Sequence, residues 1–288
     1  MKSMMFAAAA VMALACATGA QAEVVSSNNP APGDSFTNAG PVNQGQAIGA
    51  SGWYYNNVRN GGEVGVTTEN PRLGNGSVAF FAPSNGKADV EFLASGVAVG
   101  GAYYATASLG KLADFEGFSY DWYRDASSTV AAHLHPSFRI LLDADGDLST
   151  TGDRGGIVFE RVYNGVSTPT NQWVTDSLSN STNFWNFGLG LGLEYNIDGQ
   201  GSQYDPLAAW QAGLPNAAIL GFSMGVGSGW SGQFTGYVDN VSWTIDGVTS
   251  RYNFEVGGVP EPSAWALMIA GFGLAGGALR RRRQAIAA

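Results

Sequence analysis

Tyr237-Val-Asp-Asn-Val-Ser-Trp-Thr-Ile245, then Asp246-Gly247, then Arg251-Tyr-Asn-Phe-Glu-Val256, is the stretch that decides the fold class. Large apolar residues alternate there with polar ones, the period of a strand with one face on a core. Asp-Gly between two such runs signals a tight hairpin, because both central residues of that turn need positive φ. The body of the chain therefore ends in a β-hairpin.

Working outward, Ser77–Phe81, Asp89–Leu93, Phe118–Tyr123, Phe138–Asp143, Ile157–Tyr163 and Leu220–Val226 also read as strands between turn signals. One helix is expected, over Leu207 to Ala212, with Asp205 as its cap and Pro206 at its first position. No repeat of fixed period runs through the body. The expectation is all-β: a single β-sandwich ectodomain over residues 53–258, preceded by a loose segment, 23–52, rich in Ser, Asn, Pro and Gly.

Both ends read as processing segments. Residues 1–22 carry a positive Lys2, an apolar run and the small-x-small site Ala20-Gln21-Ala22, a signal peptide that signal peptidase removes before Glu23. Cys16, the only cysteine, leaves with it, so the exported chain has no disulfide and no thiol catalyst. A lipoprotein reading fails because Leu14 stands one place too close to Cys16. At the other end, Ser263 to Leu279 is free of charge and long enough for a transmembrane helix of about 25 Å. Trp265 stands where an interfacial anchor belongs, and Arg280, Arg281, Arg282 and Arg283 place the C-terminus, with residues 284–288, in the cytoplasm. The body is then outside the cell.

The order Pro260-Glu261-Pro262-x-x-Trp265-Ala266, apolar span and arginine cluster over residues 259–283 resembles the PEP-CTERM sorting signal in its PEPxxWA variant, also called the ice-binding protein C-terminal domain. The resemblance implies recognition of Pro260, Glu261, Pro262 and Trp265 by an exosortase-type membrane protease. It also implies delivery to the cell envelope or an exopolysaccharide matrix. Gly225 to Val241, and Phe118 to Arg124 with Leu141 to Asp147, resemble strands of the jelly-roll or concanavalin-like ectodomains of such proteins.

Charge excludes some partners. Residues 23–258 hold 22 acidic and 9 basic side chains, a formal −13, which repels nucleic acid and anionic lipid. Gly221-Phe-Ser223-Met-Gly225 matches a nucleophile elbow, but a glycine-rich run follows instead of a helix, and both histidines precede the serine. Gly271-Phe-Gly273-Leu-Ala-Gly276 matches a dinucleotide fingerprint only in letters, since it sits inside the apolar span. His133 and His135 share a strand face without an identifiable third metal ligand. Asp143, Asp145, Asp147 and Asp153 offer a calcium site, against a solvated hairpin turn, which the spacing favours because Arg154 stands where a bidentate Glu belongs. Trp53, Tyr54, Tyr55, Trp185 and Trp230 lie in glycine-rich contexts and are candidates for stacking on sugars. No catalytic residue emerges and no cofactor other than calcium. The expected role is structural or adhesive, in the envelope or an exopolysaccharide. A lectin-like carbohydrate-binding module is the first alternative and a secreted polysaccharide hydrolase the second.

Overall fold

The computed structural model describes residues 21–39, 45–96, 106–191, 197, 204–257 and the single positions 269, 271 and 272. In chain order the strands are β1 Glu23–Pro30, β2 Gln46–Ala47, β3 Trp53–Arg59, β4 Glu63–Thr67, β5 Ser77–Ala82, β6 Lys87–Leu93, β7 Phe115–Arg124, β8 Ser137–Asp143 and β9 Arg154–Phe159. They continue as β10 Trp173–Leu178, β11 Asn183–Gly188 and β12 Asp205–Pro206, then helix α1 Leu207–Gly213, β13 Ala218–Val226, β14 Phe234–Ile245 and β15 Val248–Gly257.

They form two packed sheets. One has eight strands, in the order β12-β11-β9-β8-β13-β6-β3-β2. The other has seven and is organised around β14. One edge of β14 pairs with β7, which also holds β10. The other edge pairs first with β5, over Phe234–Val238, and then with β15, over Val241–Ile245. β14 and β15 turn back through Asp246 and Gly247 at φ 49° and 71°, the hairpin geometry the sequence demands.

Aromatic rings fill the space between the sheets. Trp243 from the seven-stranded sheet meets Trp53, Phe92 and Phe222 from the other, with ring centroids 6.0, 4.9 and 4.8 Å away. Phe118 stacks on Phe138 across the same gap at 3.8 Å. Edge-to-face and offset contacts of this kind add to the area term that dominates a sandwich core.

Three expectations change. Glu23–Pro30 is a strand, paired in parallel with β15, so the sandwich starts well before residue 53. It hides in the sequence because only Val25 and Ser27 are buried; backbone bonds to β15 and the Asp34 carboxylate, which accepts from Asn28 and Asn29 N–H, hold it instead. The strand expected to reach Tyr163 stops at Phe159, and Arg161–Asn164 is a 3-10 turn closed by Gly165 at φ 66°. The Asn164 side chain fixes that turn by donating to Glu160 O and accepting from Asn183 N. Helix α1 forms as expected, but Asp205 does not cap it: Asp205 pairs with Phe184 in the sheet and accepts from Ile197 N–H.

Among the described residues no helix is long and apolar enough to cross a membrane. Pro260, Glu261, Pro262, Trp265, Arg280 to Arg283 and Ala20 all lie outside the described residues, as do most of the expected span and signal peptide.

Candidate functional site

Strand alternation builds the outward face of the eight-stranded sheet. In β8, Phe138, Ile140 and Leu142 enter the core, so Ser137, Arg139 and Leu141 turn outward. In β6, Ala88 and Val90 enter the core, and Lys87, Asp89 and Glu91 turn outward. Register then aligns six side chains across six strands. Trp185 is opposite Val158, which is opposite Arg139, then Ser223, Glu91 and Tyr54. Five strand spacings make this row about 24 Å long. The next row, Phe187, Gly156, Leu141, Gly221 and Leu93, is apolar.

A groove of about 620 Å³ opens along this face, lined by Arg59, Lys87, Arg139, Glu160, Trp185 and Phe187 and walled by the loop ending at Trp230. Two glycines let its aromatics lie close to backbone. A Cβ on Gly156 would come within 2.9 Å of the Phe187 ring, and one on Gly227 within 2.3 Å of the Trp230 indole. Any side chain there would lift the ring off the sheet.

The floor of the groove is charged and buried. Asp89 is wholly buried and accepts from Lys87 Nζ at 2.6 Å, Arg139 Nη1 at 3.1 Å and Asn57 Nδ2 at 2.9 Å. One carboxylate thus faces two cations. Burial, and then Arg139, push the Lys87 ammonium below its usual range. Glu91 accepts from Asn56 Nδ2 at 2.7 Å, while burial and neighbouring Asp89 push it up. Burial also raises Glu160, against the pull of Arg139. The Asn56 Oδ1 atom is buried here without a hydrogen-bond partner.

The sequence named three residues of this face correctly. Tyr54 and Trp185 stand in the row and Trp230 in the wall. Trp53 and Tyr55 belong instead to the core, both fully buried. Tyr55 donates its hydroxyl to Asp34 and accepts from Val66 N–H, which turns it inward. Lys87, Asp89, Glu91, Arg139 and Phe187 were missed. The signal for Lys87, Asp89 and Glu91 was the placing of charges at alternate positions of Lys87–Leu93, a run whose intervening residues are apolar.

The other candidates do not form the sites their motifs spell. Ser223 lies in the middle of β13, not on an elbow, and Arg139 donates to it at 3.4 Å. His133 is exposed and His135 buried, so they form no pair. His135 accepts from Arg161 N–H on Nε2 at 3.1 Å, which places its proton on Nδ1, 3.0 Å from Pro136 O. Asp143, Asp145 and Asp153 converge within 4.8 Å of one another. Asp147 stands apart, accepting from Ser149. Asp143 takes Gly146 N–H and the Arg154 guanidinium, and Asp153 takes Asp145 N–H, so these carboxylates organise the hairpin turn, and a cation would compete with Arg154.

His135 gives a pH prediction. Burial, and then Arg161, lower its pKa to about 3, against 6.5 when unfolded. The unfolded chain therefore binds more protons between those values, and stability is fully present above about pH 6.5 and is lost as pH falls toward 3. His135→Gln removes that term. Its stability deficit against the parent shrinks on acidification from pH 6.5 to 4, by up to about 1.4 kcal/mol per pH unit. Urea melts across that range check it; a deficit constant with pH overturns the assignment.

Residues 258–283 match the PEP-CTERM protein-sorting motif. The chain therefore carries the sorting tail of an exported, envelope-associated protein, one that an exosortase processes. No curated protein matches it. Among solved structures it is similar to a carbohydrate-binding module of the beta-sandwich superfamily, at 11% identity and TM-score 0.31 over 68% of this chain. It spans 58% of that chain. It is also similar to the family 11 carbohydrate-binding module of the cellulosomal cellulase Lic26A-Cel5E of Clostridium thermocellum, at 13% identity and TM-score 0.37, over 76% of this chain and 100% of that one. A third is the cellulose induced protein Cip1, at 14% identity and TM-score 0.34, over 70% and 91%. Likeness at this level assigns no ligand.

Proposed function

We propose that this protein is an exported component of the envelope or extracellular matrix whose sandwich binds a polysaccharide along the outward face of the eight-stranded sheet, without a catalytic step. Signal peptidase cleavage after Ala22 would leave β1 whole from its first residue, Glu23. The sorting tail continues from β15, in the seven-stranded sheet, so the groove is on the other sheet from the tether. This arrangement supports a structural or adhesive role: one sheet leads to the sorting tail, and the groove lies on the other.

The observation that carries the reading is the groove in which Trp185, Phe187 and Trp230 stand beside Arg59, Arg139 and Glu160. Aromatic faces beside hydrogen-bonding side chains suit a chain of sugar rings, whose faces are apolar and whose rims are hydroxyls. The floor carboxylates are engaged by Lys87, Arg139 and Asn56, which argues against a pair free to act as acid and nucleophile in glycoside hydrolysis.

The test is binding of purified mature protein to a panel of soluble polysaccharides, measured by affinity electrophoresis and calorimetry. Trp185→Ala lowers affinity about tenfold, the worth of one stacking contact and its buried area, and leaves the melting temperature within about 2 °C. No binding to any polymer in the panel removes the reading. Release of reducing ends during incubation removes its non-catalytic part.

A further inference from the structure

The groove reverses the charge of the body around it. Against 22 acidic and 9 basic side chains in residues 23–258, it is lined by three of the basic ones, Arg59, Lys87 and Arg139, and by one acidic one, Glu160. A third of the body's cations thus gather on one face of a strongly anionic molecule. Beneath them Asp89 is shared between Lys87 and Arg139, with Glu91 beside it. Arg59 donates to Asn57, a neutral partner. Arg139 uses only Nη1, toward Asp89 and Ser223, and among the described residues its Nε and Nη2 donate no hydrogen bond.

We propose that the groove recognises an acidic polysaccharide, reading the carboxylate or sulfate groups of its sugars with Arg139 and Arg59. This rests on the polysaccharide-binding reading above and names its ligand class. Three features support it. A planar guanidinium with unspent donors is the side chain best shaped to take an oxyanion through two parallel bonds. Asp89 and Ser223 hold Nη1, which fixes the direction of the remaining donors before any ligand arrives. Burial favours the neutral forms of both Glu91 and Lys87, which leaves the Arg139 guanidinium as the fixed cation of the site. The body's net −13 supplies selectivity of a second kind, because it disfavours a polyanion away from the cations of the groove.

The experiment titrates the full chain in neutral detergent with polygalacturonate, dextran sulfate and uncharged hydroxyethyl cellulose at 0.15 M salt. The variants are Arg139→Gln, Arg139→Lys and Arg59→Gln. The expected result is at least tenfold tighter binding of one or both acidic polymers than of the neutral one. Arg139→Gln loses about tenfold for the acidic polymer, Arg139→Lys recovers part of that loss, and each variant costs the acidic polymer more than the neutral one. Arg59→Gln, on an exposed residue, loses about threefold with an unchanged melting curve, which keeps the test decisive if Arg139→Gln misfolds. Preference between polygalacturonate and dextran sulfate identifies carboxylate or sulfate as the group read. Equal or tighter binding of the neutral polymer overturns the acidic ligand and leaves the polysaccharide reading standing. Acidic binding indifferent to all three variants also overturns it, because the charge is then read elsewhere. Binding of none of the three overturns the acidic ligand; whether the polysaccharide reading falls with it is decided by the wider panel.

Discussion

Asp239→Ala destabilises this sandwich by about 2–4 kcal/mol, roughly 10 °C in melting temperature for a body of this size. The reason lies in the joint of β14. That strand leaves β5 at Val238 and takes up β15 at Val241, and its pairing with β7 slips between Asp239 and Ser242. Asn240 sits there at φ 50°, so the backbone at the joint is out of ladder geometry. The Asp239 carboxylate fills the gap. One oxygen accepts from Phe254 N–H in β15 at 2.9 Å, and the other from Leu73 N–H, on the approach to β5, at 3.2 Å. Alanine leaves the Phe254 N–H buried and unmet, at about 1–3 kcal/mol, and takes a hydrogen bond of about 1 kcal/mol from the exposed Leu73. Burial raises the Asp239 pKa to about 7, the backbone donors holding it from rising further. A folded value above the unfolded 3.8 means stability present below about pH 4 and lost as pH rises through 7. The gap between parent and variant is therefore widest in acid and narrows toward neutrality. A loss below 1 kcal/mol at every pH would sink this account of the joint.

The same joint shows what the sequence can and cannot tell. Tyr237-Val-Asp-Asn-Val241 reads as one continuous strand, and it is one; that its two halves serve different partners depends on register with β5 and β15, which no local pattern encodes. Strands with strong alternation, such as β15, were legible because one face is wet. β1, β4, β10 and β11 were not, since their polar residues match those of loops and long-range pairing holds them. The groove was half legible for a related reason. Trp185 and Trp230 announce themselves by type, but Arg139 in Ser137–Asp143 becomes a groove residue only when β8 lies between β9 and β13. Trp53 and Tyr55 misled because a glycine-rich neighbourhood says nothing of which face an aromatic takes.

Trp243→Ala is the second large loss, about 3–5 kcal/mol. Trp243 is 5% exposed and touches five rings: Trp53, Phe92, Phe118, Phe222 and Tyr252. Three of them belong to the opposite sheet, so its removal opens the seam between the layers instead of the edge of one. The rings around the cavity are anchored on separate strands of both sheets and cannot all collapse inward, which places the cost toward the upper end of that range. Trp243→Phe keeps a ring in place and loses about 1–2 kcal/mol. Trp243 points into the core from the sheet opposite the groove, so neither variant alters polysaccharide affinity per folded molecule at temperatures well below the transition. Thermal melts and titrations on the same samples separate the two effects. Lost affinity in a fully folded Trp243→Phe protein would mean that the core transmits strain to the row from Trp185 to Tyr54, and that this outward face is not the rigid platform that binding a long polymer requires.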